Sequence, residues 1–81
     1  MTKANMQRVL KNEKTRPIMI KILQDEATEQ QLRVFNEIYL KDKTQQATAE
    51  MLNISQVSVG FHLKAINKKI DHIWKYVGMA L

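Results

Sequence analysis

The last third of the chain carries one long stripe of apolar residues. Apolar side chains recur there four and three residues apart, at Val59, Leu63, Ile66, Ile70, Ile73 and Val77. This spacing places all of them on one face of a single helix, and the pattern predicts a helix of about twenty residues that begins near Ser55. We expect its first half to pack on its own domain. Its second half, with Trp74 beside the stripe, could pack on residues 15–23 or on a second copy of the chain.

A second apolar pattern lies in the middle of the chain and follows a clear helix start. Thr28 is followed three residues later by Gln31, which is the arrangement of a capping box. Apolar residues then fall at helical spacing up to Lys41, namely Leu32, Phe35, Ile38 and Tyr39. The pattern therefore predicts a helix over this segment.

The N-terminal segment has weaker signals. Residues 1–14 suggest either a poorly anchored arm or a short helix, with Met6 and Leu10 four residues apart. Thr15 can cap the next helix, since Pro17 falls in its first turn and an apolar run over 18–23 follows. The acidic pair at residues 25 and 26 opposes the macrodipole at a helix C-terminus, so we expect that helix to end there.

Residues 42–55 predict a short helix between a loop and a tight turn. The loop is Asp42-Lys43, and Thr44 can cap a helix over 45–52. In the turn, Asn53 tolerates the left-handed conformation and Ser55 can cap the long final helix, while Ile54 points inward. The fold class predicted is all-α, a small helical bundle with a helix-turn-helix and a long C-terminal recognition helix.

Composition supports this class and limits the others. The chain has 81 residues, no cysteine, two glycines and one proline. This length suits one domain, and the few turn residues disfavour a β protein. Lack of cysteine excludes disulfides and thiolate metal sites and fits a reducing cytoplasm. Since no apolar run resembles a signal peptide or a membrane span, we expect a cytoplasmic protein without membrane contact.

The net charge of +5 is distributed unevenly. Residues 1–23 hold six bases and one acid, residues 24–54 three bases and six acids, and residues 55–81 four bases and one acid. A basic surface accelerates the encounter with a polyanion such as DNA. The basic ends of the chain therefore favour nucleic-acid binding, although in many basic proteins the charge serves only to keep the protein in solution.

About half of the chain resembles region 4 of the sigma-70 family of RNA polymerase factors and the related DNA-binding domain of LuxR-type regulators. The resemblance is carried by Gln31-Leu32-Arg33-Val34-Phe35, Tyr39, Thr48-Ala49-Glu50-Met51-Leu52-Asn53-Ile54-Ser55, Ser58-Val59, His62-Leu63, Ile66, Lys69 and Ile70. It implies a helix-turn-helix domain over 28–81, preceded by a basic helical extension over 1–27. We expect the chain not to be a complete sigma factor, because it has no room for the region that melts the −10 element.

Three positions depart from the pattern of these families. Asp42-Lys43 replaces a usual glycine and apolar residue, and Thr48 stands where a larger aliphatic residue is common. Gly60 and Phe61 occupy positions of the recognition helix where polar or basic side chains often face DNA. These departures bear most on which bases the helix would read.

The pattern and the resemblance together predict three sets of contact residues. The residues expected to read bases in the major groove are Gln56, Val57, Gly60, Phe61 and Lys64. The residues expected to bind DNA phosphates are Arg33, Thr44, Gln45, Ser55 and Lys68. The residues expected to contact a second copy or another partner are Ile70, Ile73, Trp74 and Val77.

The leading hypothesis is a sequence-specific regulator of transcription, bacterial or from a phage, that binds double-stranded DNA as a homodimer. The first alternative is a sigma-region-4-like protein-interaction module that acts on RNA polymerase or another regulator. The second is a DNA-binding protein of phage packaging or replication. No nucleophile–base pair, zinc motif or glycine-rich nucleotide loop is present, so we expect no enzyme activity and no cofactor.

Overall fold

The protein folds as five α-helices, and the computed structural model describes the backbone of residues 1–80 and the side chains of residues 1–77. The helices are α1 (Lys3–Lys11), α2 (Arg16–Glu26), α3 (Glu29–Phe35), α4 (Gln45–Leu52) and α5 (Gln56–Ala80). Helix α3 continues directly into a π-helical turn at Asn36–Leu40. No strand occurs within residues 1–80, so the predicted all-α class is confirmed.

Four of the five helices begin with a side-chain cap. The hydroxyls of Thr2, Thr28, Thr44 and Ser55 each accept a hydrogen bond from the backbone N–H three residues later, at 3.0–3.2 Å. At Thr28 the capping box is complete, because the Gln31 side chain accepts the Thr28 N–H at 3.0 Å. Thr15 precedes α2 as predicted, but its hydroxyl instead donates to the carbonyl of Val9 at 2.8 Å and caps nothing.

The N-terminal helices belong to the core. Met6 of α1 and Met19 of α2 are completely buried, as are Phe35 of α3 and Ile66 of α5. The expectation that residues 1–14 form a loose arm is therefore wrong, and the alternative of a short helix is correct. Two apolar residues four positions apart were enough to bury one face of α1, because α2 and the π-helical turn supply the surface that it packs against.

Helix α5 is the axis of the bundle, with α2, α3 and α4 all packed against it. The first four residues of its apolar stripe are buried, and Ile73 and Trp74 are half-buried against the same core. The stripe is thus covered by the chain itself along most of its length. Ile70 is completely buried, so the expectation that Ile70 contacts a partner is wrong.

The π-helical turn and the loop after it are held by ion pairs that sequence reasoning missed. The carboxylate of Glu37, which is almost fully buried by its surroundings, lies 2.9 Å from Lys41 Nζ and 3.0 Å from Lys43 Nζ. Hydrogen bonding from Lys41, followed by that from Lys43, lowers the pKa of Glu37, and partial desolvation opposes this. The spacing of Glu37 and Lys41 is the i, i+4 signal that could have predicted one of the two pairs.

Asp42 has the left-handed backbone conformation, with φ of 55°. This conformation penalises a Cβ atom, so glycine adopts it most readily, and aspartate is among the few other residue types that tolerate it. An ion pair with Lys3 at 2.6 Å and a hydrogen bond from Gln7 at 3.4 Å hold the Asp42 side chain against α1. The Lys3 interaction is also the main cause that lowers the pKa of Asp42.

Helix α4 packs on α5 through small residues. Ala49 and Thr48 are both buried at this crossing. Thr48 is tolerated in this buried position because its hydroxyl donates to the Thr44 carbonyl at 2.8 Å and is therefore not left unpaired. Within the part of the chain that the structure describes, none of the helices is long and apolar enough to cross a membrane.

Candidate nucleic-acid interface

The junction between α4 and α5 is a three-residue turn with well-defined hydrogen bonds. Asn53 has φ of 55° and ψ of 46°, the left-handed conformation expected from its sequence position. Its N–H donates to the backbone carbonyl of Glu50 at 3.3 Å, and the N–H of Ile54 donates to the backbone carbonyl of Ala49 at 3.0 Å. Ser55 then caps α5, so the turn fixes both the end of α4 and the direction in which α5 starts.

The side of α5 that faces away from the core is open to solvent. Val57 and Phe61 are each 70% exposed, and Gln56 and Lys64 are exposed as well. Val57, Phe61 and Lys64 are separated by four and three positions, which places them side by side on the surface of a helix, and Gln56 lies four positions before Gly60 at the edge of the same surface. We call the surface formed by Gln56, Val57, Gly60, Phe61 and Lys64 the outer face of α5. The structure thus brings the five residues expected to read bases together on one surface.

Gly60 lies where the outer face meets the start of α4. A Cβ atom built at Gly60 would meet only Gln45 Oε1, at 3.8 Å, and the glycine has no unusual φ. Intramolecular packing therefore does not require glycine at this position. Gln45, expected to bind phosphate, lies beside the residues expected to read bases.

The other residues expected to bind phosphate are placed differently. Thr44 and Ser55 lie at the N-termini of α4 and α5, where their hydroxyl oxygens already serve as caps. Lys68 is exposed, one turn beyond Lys64 on the same side of α5. Arg33 lies on α3 and forms an ion pair with Glu29 at 2.7 Å.

The four lysines of α5 have different surroundings. Lys69 turns inward and donates to the carbonyl of Glu26 at 2.9 Å and to Gln31 Oε1 at 3.3 Å, which ties α5 to the junction of α2 and α3. Lys64 and Lys68 take part in none of the ion pairs found among the described side chains.

Lys75 is a further exposed base that sequence reasoning missed. Its spacing of seven residues from Lys68 was the available signal, because it returns to the same side of a helix. The row of positive charge on α5 therefore extends further along the helix than the predicted contact residues do.

The first half of α5 contains no acidic residue. Residues 56–70 contain no aspartate or glutamate, and Asp71 is the first acid of α5. Several acids elsewhere are paired, as with Lys21 and Asp25 on α2 at 3.2 Å. The first half of α5 therefore presents apolar and cationic side chains together, with no nearby carboxylate on the same helix.

Comparisons with protein-family models, with curated proteins and with solved structures find no match to this chain. The arrangement is a braced helix with an exposed, carboxylate-free side, which is physically suited to lie against a polyanion.

Proposed function

We propose that this protein is a sequence-specific regulator of transcription that binds double-stranded DNA. Its α4 and α5 form a helix-turn-helix, and α5 enters the major groove with its outer face toward the bases. The observation that carries this proposal is the openness of that face, where Val57 and Phe61 are each 70% exposed between Gln56 and Lys64. The resemblance to sigma region 4 and LuxR-type domains over residues 28–70 supports the same assignment.

The dimensions of the partner fit this arrangement. The major groove is about 12 Å wide and admits one α-helix. In a helix-turn-helix protein, the first helix crosses the DNA backbone and the N-terminal part of the second contacts the bases. Here Thr44 and Gln45 begin α4 near Gly60, so the N–H groups at that end would face phosphates on the rim of the groove.

We also propose that the protein binds DNA as a homodimer, as regulators of this class commonly do when they recognise two half-sites. With Ile70 buried, the remaining candidates for the contact lie near the end of α5. Ile73, Trp74 and Val77 are half-buried and Tyr76 is exposed. Sedimentation with and without DNA tests this part, and a single chain on every bound duplex would contradict it.

Selection of bound fragments from random double-stranded DNA tests the proposal most directly. We expect an enriched motif, and anisotropy titrations at several salt concentrations should show binding that weakens as salt rises. Lys64→Ala should weaken binding, whereas the matched control Lys21→Ala removes the same charge from an ion pair on α2 and should not. No binding at low salt, or binding that is blind to sequence, would reject the proposal.

A second candidate is a protein-interaction module that acts on RNA polymerase or another regulator. The exposure of Phe61 favours it, because buried aromatic anchors dominate many protein interfaces. The variant Phe61→Ala separates the two functions. Loss of polymerase capture with unchanged DNA affinity would favour the second candidate over the first.

A further inference from the structure

The outer face of α5 carries an exposed apolar pair. Val57 and Phe61 are one helical turn apart, and each leaves 70% of its surface in solvent. The core does not need them, since the stripe that includes Val59 and Leu63 is already buried on the opposite side of the helix. These two side chains therefore offer apolar surface to something outside the folded chain.

The surroundings of the pair indicate what that partner is. Gln56 precedes it, Lys64 follows one turn after Gly60, and Lys68 follows one turn later. No carboxylate occurs on α5 before Asp71. An apolar pair with an amide and two cations around it complements a surface that combines apolar groups with high negative charge. Duplex DNA is such a surface, and an uncharged apolar peptide is not.

Within the major groove, the apolar feature of the base edges is the C5-methyl group of thymine. We propose that Val57 and Phe61 recognise thymine methyl groups, so that the DNA sites of this protein contain two thymines at fixed spacing. This inference rests on the proposed function and specifies what the outer face reads. The adenine opposite one of these thymines is then available to Gln56, whose amide can bond to the N6 and N7 atoms of a single adenine.

The geometry limits the spacing of the two thymines. Residues one helical turn apart are separated by about 5.4 Å along the helix axis. Stacked bases of one strand are about 3.4 Å apart. Val57 and Phe61 can therefore reach thymines that are neighbours or that have one base between them, on either strand.

Replacement of thymine by deoxyuridine tests the inference with the unmodified protein. This change removes only the methyl group and preserves base pairing. In the selected site, we expect deoxyuridine at two positions to weaken binding about fourfold each, the effect of one buried methyl group. Deoxyuridine at the other thymines of the same duplex is the internal control and should leave the affinity unchanged.

Two variants then assign the contacts. Phe61→Ala should bind more weakly and should lose its sensitivity to deoxyuridine at one position, while Val57→Ala should lose it at the other. Both residues are exposed, so circular dichroism and thermal unfolding should show folded variants. Specific binding that ignores deoxyuridine everywhere would overturn this inference and leave the proposed function standing. Absence of sequence-specific binding would overturn the proposed function itself.

Discussion

Replacement of Gly60 by alanine should make the protein more stable and a weaker DNA binder. Alanine is favoured over glycine in a helix interior by about 1 kcal/mol. The structure has room for the added methyl group, because its nearest neighbour would be Gln45 Oε1 at the ordinary contact distance of 3.8 Å. We therefore expect the free energy of unfolding to rise by about 1 kcal/mol, or the Tm by roughly 4–8 °C for a domain of this size.

The same methyl group should weaken DNA binding. Gly60 lies between Gln56 and Lys64, half-buried at the edge of the outer face, and has no side chain to hold α5 away from DNA at this point, so we expect its backbone to approach the wall of the groove closely. The Cβ atom of an alanine at position 60 extends the helix surface outward by about 1.5 Å, the length of one carbon–carbon bond. Displacement of α5 by that distance would lengthen the hydrogen bonds of both neighbours beyond their working range. We expect at least a tenfold loss of affinity, or about 1.4 kcal/mol.

Urea unfolding and fluorescence anisotropy with the selected duplex measure the two effects separately. Asn53→Gly is the matched control, since it relieves the left-handed residue of the turn and adds no atom to the outer face. It should preserve DNA affinity while leaving stability equal or higher. If Gly60→Ala binds DNA as tightly as the unmodified protein, close approach of this backbone is refuted. If Gly60→Ala unfolds at a lower urea concentration than the unmodified protein, then the structure does not have room for a methyl group beside Gln45.

Other changes test the remaining parts of the structure. Lys64→Ala should cost about 1–3 kcal/mol of DNA binding and relax the sequence preference, while Lys68→Ala should weaken all sequences alike and reduce the salt slope by about one; identical profiles would refute these roles. Met6→Ala should lower the free energy of unfolding in urea by about 2–5 kcal/mol, and a negligible change would show that α1 is dispensable for the fold. The folded state lowers the pKa of Glu37 below its ordinary value of 4.5. Its contribution to folding stability is therefore fully present above pH 4.5 and is lost as the pH falls through the lower pKa of the folded state. Glu37→Gln should remove the part of the acid-induced loss of folding free energy that comes from this carboxylate. Glu29→Gln, which alters an exposed ion pair, should retain that loss.

Local signals made the helices of this protein predictable from sequence. The start of α3 was visible because Thr28 and Gln31 bond to each other within one turn. The left-handed turn at Asn53 was also predictable from a local signal, because asparagine tolerates this backbone conformation. Such features depend on neighbours in the chain and need no knowledge of the tertiary structure.

Features that depend on distant partners could not be predicted in this way. The burial of Met6 requires surfaces that α2 and the π-helical turn provide, and the short apolar pattern around Met6 does not specify them. The π-helical turn before Lys41 has no sequence signature, and its backbone bond from Lys41 N–H to the Asn36 carbonyl is seen only in the structure. Asp42 looked like an ordinary loop residue, although Lys3, far away in sequence, holds its side chain.

The position of the N-terminal helices bears most directly on the proposed function. Residues 1–27 could have covered the outer face of α5, and a reader of bases would then have been impossible. They instead bury Met6 and Met19 in the core, while Val57 and Phe61 stay in solvent. Within residues 1–77 the chain therefore does not block this face, although a permanent partner could. Such a partner would have to accept the cation Lys64 beside an aromatic ring, which is the same requirement that DNA satisfies with phosphate and thymine.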